Sequence, residues 1–201
     1  MTTHHTDPQQ VAAAVARRAR DGFALVAVDG RAGAGKTTFA AALAARLGGP
    51  GRAAIVHGDD FLRPMTPHAR LSLGPHEGYH RLLDWRRLRD EVLRPLADGR
   101  PARHGRYDRT ANAVVYDETG ALAPTGTVIV EGVLTARPEL AAFYDLTVCV
   151  DTPDDTCLRR LYARGRGPER DAWIACWRAV EEYYLATAHP RARAGLTVRC
   201  G

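Results

Sequence analysis

The sequence predicts an α/β fold in which a mostly parallel sheet is flanked by helices, and three observations carry that prediction. Short, continuously apolar runs recur (FALVAVD at 23–29, TVIVEGV at 127–133, LTVCVD at 146–151), the pattern of strands buried on both faces. Segments with apolar residues at helical spacing lie between them. A glycine-rich turn joins the first run directly to a helix rich in alanine and leucine, as where strand and helix alternate along the chain.

In chain order, residues 7–20 read as an amphipathic helix with Val11, Ala14, Val15 and Ala19 on one face, Asp7 as cap and Pro8 in the first turn. The first strand, 23–29, leads into a helix over 36–47, which Gly48-Gly49-Pro50-Gly51 stops. Residues 53–57 form a second short strand. The stretch 61–126 is the least regular: a helix over 82–96 from the spacing of Trp85, Leu88, Val92 and Leu96, a polar, arginine-rich stretch over 98–113, and a short hairpin around 114–116. Strands at 127–133 and 146–151 follow, then a helix over 153–164, a charged loop over 165–170, a helix over 171–188, and a short last strand at 196–200. The stripe Trp173, Trp177, Val180 and Tyr184 on the long helix suits a core or an interface between copies, so a homo-oligomer stays open. With 201 residues, no internal repeat and no linker, the chain reads as one domain spanning 1–201, opened by an N-terminal helix within 1–22.

Composition narrows the class. About 45% of residues are apolar and 25% charged, ordinary values for a folded chain. No apolar run approaches the roughly 18 residues of a membrane span, and residues 1–8 lack the apolar core of a signal peptide, so the expected location is cytoplasmic, away from membranes. Cys149, Cys157, Cys176 and Cys200 form no CxxC pair and read as free thiols rather than disulfides or a zinc site. His4 and His5 read as part of a terminal tail rather than as metal ligands. A net charge of +5 and a pI of about 9.3 raise nucleic acid as a partner. Basic blocks are absent and acids are interspersed, so the expectation is no nucleic acid but an enzyme that handles phosphates. Of the 28 basic residues, all but Lys36 are arginine. A generic positive charge is met by arginine throughout; position 36 calls for a compact ammonium.

That lysine sits in Gly30-Arg31-Ala32-Gly33-Ala34-Gly35-Lys36-Thr37, a complete G-x-x-x-x-G-K-[ST] phosphate loop between a buried-type strand and a helix. The fold class is therefore a P-loop NTPase three-layer sandwich. Glycines let the backbone wrap with N–H groups inward, and with the positive end of the following helix these hold a polyphosphate. The expected ATP-binding set is Gly30, Ala32, Gly33, Ala34, Gly35, Lys36, Thr37 and Thr38, with Lys36 on the β- and γ-phosphates and Thr37 on Mg²⁺. A guanine-reading N-K-x-D is excluded, because the one lysine is already used.

Other residues must select a reaction. Glu131 ends the apolar run VIVE, where a carboxylate holds Mg²⁺ or stands as a surface acid. Asp59 and Asp60 follow the second strand, where ligands bind in open α/β sheets; either caps a helix or takes a proton from an attacking hydroxyl. Arg159, Arg160, Arg164 and Arg166 cluster at a helix end, as a solvated face or as a lid over transferring phosphate. Helical periodicity cannot put all four on one side.

The chain resembles the uridine kinase and phosphoribulokinase family of P-loop kinases through VAVDGRAGAGKTT, HGDDF, LLDW, GRYD, VIVEGV, YDLTVCVDTP and RRLYARGR, over roughly residues 23–170. The resemblance implies a five-stranded parallel sheet flanked by helices, and a kinase that moves the γ-phosphoryl group of ATP to a hydroxyl of a small molecule, a nucleoside first. Asp59 matches the family's general base, and Thr37 and Glu131 its magnesium positions. Tyr107 matches an aromatic against the acceptor's base, and Arg160 a substrate contact. Arg164 and Arg166 match lid residues. Residues 61–126 become an acceptor-binding insert with Asp60 and Tyr107 in it or beside it, and 164–170 the lid. Lys36 and Arg164 join Asp59 as catalytic residues. Where uridine kinases carry a His and an Arg after the YD pair, this chain reads Arg109-Thr110-Ala111-Asn112-Ala113. A non-nucleoside alcohol of the pantothenate kind therefore stays open, as does a P-loop module that only binds or hydrolyses nucleotide.

Overall fold

A computed structural model describes residues 7–116 and 121–200; His4 and His5 lie outside them. Strands form in the order β1 (Phe23–Asp29), β2 (Ala53–His57), β3 (Arg106–Asp108), β4 (Ala113–Val115), β5 (Gly126–Glu131), β6 (Leu146–Asp151) and β7 (Leu196–Arg199). Helices are α1 (Pro8–Arg18), α2 (Lys36–Arg46), α3 (Pro67–Leu71), α4 (Pro75–Arg81), α5 (Trp85–Leu88), α6 (Arg94–Ala97), α7 (Asp154–Ala163), α8 (Pro168–Ala188) and α9 (Pro190–Arg193). Five strands build one parallel sheet in the order β2-β5-β1-β6-β7, as expected, and β3 pairs with β4 in a separate antiparallel hairpin.

The alternation of side chains along β1 makes the three layers. Ala24, Val26 and Val28 face Val11 and Val15 of α1 and Phe39 and Leu43 of α2. Leu25 faces the other way, into a second core with Val128, Val130, Tyr79 of α4, and Trp177, Val180 and Tyr184 of α8. The aromatic stripe of the long helix thus belongs to the core and to a cavity wall. Each fully buried valine or leucine here contributes about 1.5–3 kcal/mol relative to exposure. Register then sets the site: Val28 and His57 both pair with Glu131, which brings the carboxyl ends of β1, β2 and β5 to one edge.

The middle of the chain differs from its prediction. Helices α3 and α4 were not foreseen; each opens on a proline, Pro67 and Pro75, which reads as loop punctuation but here occupies the first helical turn. The helix expected over 82–96 starts later, at Trp85, where the Asp84 side chain accepts from Arg87 N. It continues to Ala97 through a π-helical turn at Arg89–Leu93, just upstream of Pro95, whose missing N–H cannot close an ordinary turn. The charged loop over 165–170 shrinks, because α8 begins at Pro168, not at 171. All four cysteines are free thiols. No helix among the described residues is long and apolar enough to cross a membrane.

Candidate active site

The turn after β1 is the base of the site. Gly33 has φ of 81°, and a Cβ there would overlap the carbonyl of Cys157, so α7 can lie this close only to a glycine. Gly35, also left-handed at φ 95°, caps α2 without a side-chain hydrogen bond. The first amides of α2 have no intrahelical acceptor, and no side chain takes them at the cap, so they are available to an anion. Lys36 is buried and its Nζ donates to the carbonyl of Arg31 at 2.9 Å, which folds the ammonium back over the loop.

Above the loop opens a cavity of about 410 Å³, within the range of small-molecule sites. Ala32, Gly33, Gly35, Lys36, Thr37 and Thr38 form its floor. The remaining two loop positions lie elsewhere: Gly30 borders a groove behind the loop, and Ala34 is buried with its carbonyl accepting from Thr152 Oγ1 at 2.9 Å. The Ala32 amide also points away from the floor, donating to Glu181 Oε1 at 2.7 Å.

Two carboxylates face this floor. Glu131 Oε1 accepts from Thr37 Oγ1 at 3.1 Å and lies 2.7 Å from His57 Nδ1. The hydrogen bond to Glu131 raises the pKa of His57 above its ordinary value. A hydroxyl and a carboxylate side by side are hard oxygen donors and suit magnesium. Asp59 lies on the 3₁₀ turn Gly58–Phe61 and borders the cavity; its Oδ2 accepts from Arg109 Nη2 at 2.7 Å. Asp60, on the same turn, points elsewhere, toward His104 Nε2 at 3.7 Å.

The arginines separate. Arg160 reaches back to the Gly33 carbonyl at 3.4 Å, and Arg164, the C-cap of α7, borders the cavity. Arg166 turns aside, over the Tyr162 ring at 3.9 Å and toward Asp171 at 3.4 Å. Arg170 takes a place on the cavity wall that sequence reasoning did not assign it. Tyr107 does not border the cavity: Arg70 donates to its hydroxyl at 2.8 Å, and that hydroxyl donates to Asn112 Oδ1 at 2.8 Å. Trp173, Ile174 and Trp177 of α8 supply an apolar wall.

Helix α8 also braces the loop from behind, which sequence reasoning missed. Besides Glu181 on Ala32, Glu182 receives Arg31 at 2.6 Å, and Tyr184 donates to Asp29 Oδ2 at 3.1 Å. Asp29, buried at the end of β1, further accepts from Ala136 N at 2.7 Å, and burial raises its pKa. The visible signal was an acid on an apolar face: Glu181 falls one turn from both Trp177 and Tyr184.

Glu181 is 1% exposed, its Oε2 has no hydrogen-bond partner among the described residues, and burial raises its pKa. A raised pKa in the folded state means that the native protein holds this proton more tightly than the unfolded chain does. The associated stability is complete below the unfolded value of 4.5 and is lost as pH rises through the folded one. Thermal unfolding between about pH 4 and pH 7 should show a steeper loss for the wild type than for Glu181→Gln. Equal slopes would contradict this reading of the brace.

Compared with known proteins, the sequence matches the family described as Phosphoribulokinase / Uridine kinase over residues 25–196. A possible uridine kinase from Bacillus stearothermophilus superposes with a TM-score of 0.71 at 22% identity, covering 95% of this chain and 96% of that one. A protein provisionally described as a fructose transport system kinase, from Silicibacter sp. TM1040, gives 0.65 at 24% identity, covering 96% and 98%. Both likenesses are of fold. No curated protein gives a significant match.

Proposed function

The chain belongs to the phosphoribulokinase/uridine kinase family, and from that premise we propose that it transfers the γ-phosphoryl group of ATP to a hydroxyl of a small molecule. One observation carries the proposal: a single cavity has the phosphate loop with Lys36 and Thr37 as its floor and the Asp59 carboxylate on its wall. A nucleotide switch has no use for that carboxylate; a hydrolase would turn it on water, and acceptor dependence separates hydrolase from kinase.

In this reading the polyphosphate lies on the amides that follow Gly33, with Lys36 against the β- and γ-phosphates. Thr37 and Glu131 would hold magnesium, which when bound would offset the negative charge of the polyphosphate. Asp59 accepts the proton of the acceptor's hydroxyl. That oxygen bonds to the γ-phosphorus, the bond from phosphorus to the β–γ bridging oxygen breaks, and ADP leaves. Arg164, and Arg160 from its place on the loop, offset the negative charge spread over the transferring group. The apolar wall of Trp173 and Trp177 excludes water that would otherwise compete for the phosphoryl group.

The acceptor implied by resemblance, a nucleoside, loses one support. Tyr107, the residue meant to lie against its base, is held by Arg70 and Asn112 outside the cavity. The test is acceptor dependence. ADP release from ATP, measured across nucleosides, sugars and hydroxy acids, should rise by at least about tenfold over the acceptor-free rate for one class. Rapid hydrolysis that no acceptor changes would replace a kinase with a nucleotide-hydrolysing module.

A further inference from the structure

Arg109 stands where an acceptor would meet Asp59. The turn between β3 and β4 holds it firmly: Asp108 Oδ1 accepts from Thr110 N at 2.7 Å and Ala111 N at 2.9 Å, while Asn112, at φ 48°, takes the Tyr107 hydroxyl and Met65 N. Three neighbouring arginines are engaged within the protein. Arg63 bonds Asp84, Arg70 bonds Tyr107 and the Arg63 carbonyl, and Arg87 bonds Glu91 and the Gly105 carbonyl. Arg109 instead extends over the cavity, and among the described residues its hydrogen-bond partner is Asp59, at 2.7 Å. The two side chains are 59% and 65% exposed, so the pair adds little to stability.

It does, however, bear on the reaction just proposed, on which this inference rests. Asp59 Oδ2, one of the two oxygens that could take the hydroxyl's proton, already accepts from Arg109. The second carboxylate oxygen stays open to a hydroxyl, but a neutral alcohol bound there offers no charge to the guanidinium beside it. We propose that the acceptor brings that charge: the substrate is an alcohol with a carboxylate or phosphate group a few bonds from the reacting hydroxyl, and Arg109 is the residue that selects it. On binding, the pair opens and divides, guanidinium to the substrate's anion and carboxylate to its hydroxyl. Arginine's planar fork suits both oxyanions.

Matched acceptors test this with ATP and magnesium: glycerate against glycerol for a carboxylate, ribose 5-phosphate against ribose for a phosphate, and uridine as a neutral nucleoside. The anionic member of at least one pair should exceed its neutral partner by about 10–100-fold in kcat/KM, the worth of one charge-assisted contact. Arg109→Ala should bring that ratio near one, and Arg109→Lys should recover part of it. Arg109 is exposed, so both variants should fold, which thermal unfolding verifies. Equal turnover of neutral and anionic partners, preference for uridine, or no turnover of any anionic member overturns the assignment. Calorimetry with ATP separates the two levels: ATP binding with the wrong acceptor preference removes only the role of Arg109, whereas no ATP binding removes the kinase reading beneath it.

Discussion

Asp59→Asn is expected to lower turnover by about 10²–10⁴-fold, the usual worth of a positioned proton acceptor. ATP affinity should move by less than about threefold. The asymmetry follows from geometry. Asp59 sits on the turn after β2, across the cavity from the loop, and its hydrogen-bond partner among the described residues is Arg109 rather than any phosphate-loop atom. Asparagine keeps the shape and can still accept from Arg109, but it cannot take a proton. The side chain is largely exposed, so the fold should not register the change. Steady-state kinetics beside calorimetric ATP titration resolve the two effects. Near-normal turnover would remove Asp59 from the base role, and a collapse in ATP binding would mean that the carboxylate serves the nucleotide instead.

Lys36→Ala should act on the other side of the same cavity, weakening ATP by about 10–100-fold through loss of charged contacts. It should also slow transfer by about 10²–10³-fold, because the ammonium is needed most as charge shifts toward the leaving oxygen. Lys36→Arg is expected to fail as well. The site is buried, and Nζ must turn back to the Arg31 carbonyl at 2.9 Å, a geometry a planar guanidinium does not reproduce. Full activity in the arginine variant would show that any positive charge suffices, and the isolation of lysine among so many arginines would lose its meaning.

How legible each part was depends on whether its determinants are local. The β1–loop–α2 unit was read in full because strand burial, glycine placement and helix start all lie within consecutive residues. The place of Glu131 at the end of β5, beside Thr37, was legible because an acid ending an apolar strand is visible without knowing its neighbours. The small helices α3 and α4 were not, since a proline in the first turn of a short helix looks the same as a proline in a loop. Arg164 and Arg166 could not be told apart, because which one faces the cavity turns on where α7 ends and α8 begins. Tyr107 was expected at the acceptor, but the hairpin turns its hydroxyl to Arg70 and Asn112 and leaves Arg109 over the cavity. Glu181 and Asp29 become a brace for the loop only when α8 packs against β1, a contact between segments about 150 residues apart in sequence.

Isothermal titration of the wild-type protein with ATP and magnesium tests the centre of the proposal most directly, with Lys36→Ala as comparison. Saturable heat at one nucleotide per chain, weakened at least about tenfold in the variant, is the predicted result. No heat for the wild type, or equal affinity for both proteins, would mean that the loop between Gly30 and Thr38 does not hold a nucleotide and that the chemistry assigned to the cavity above it is wrong.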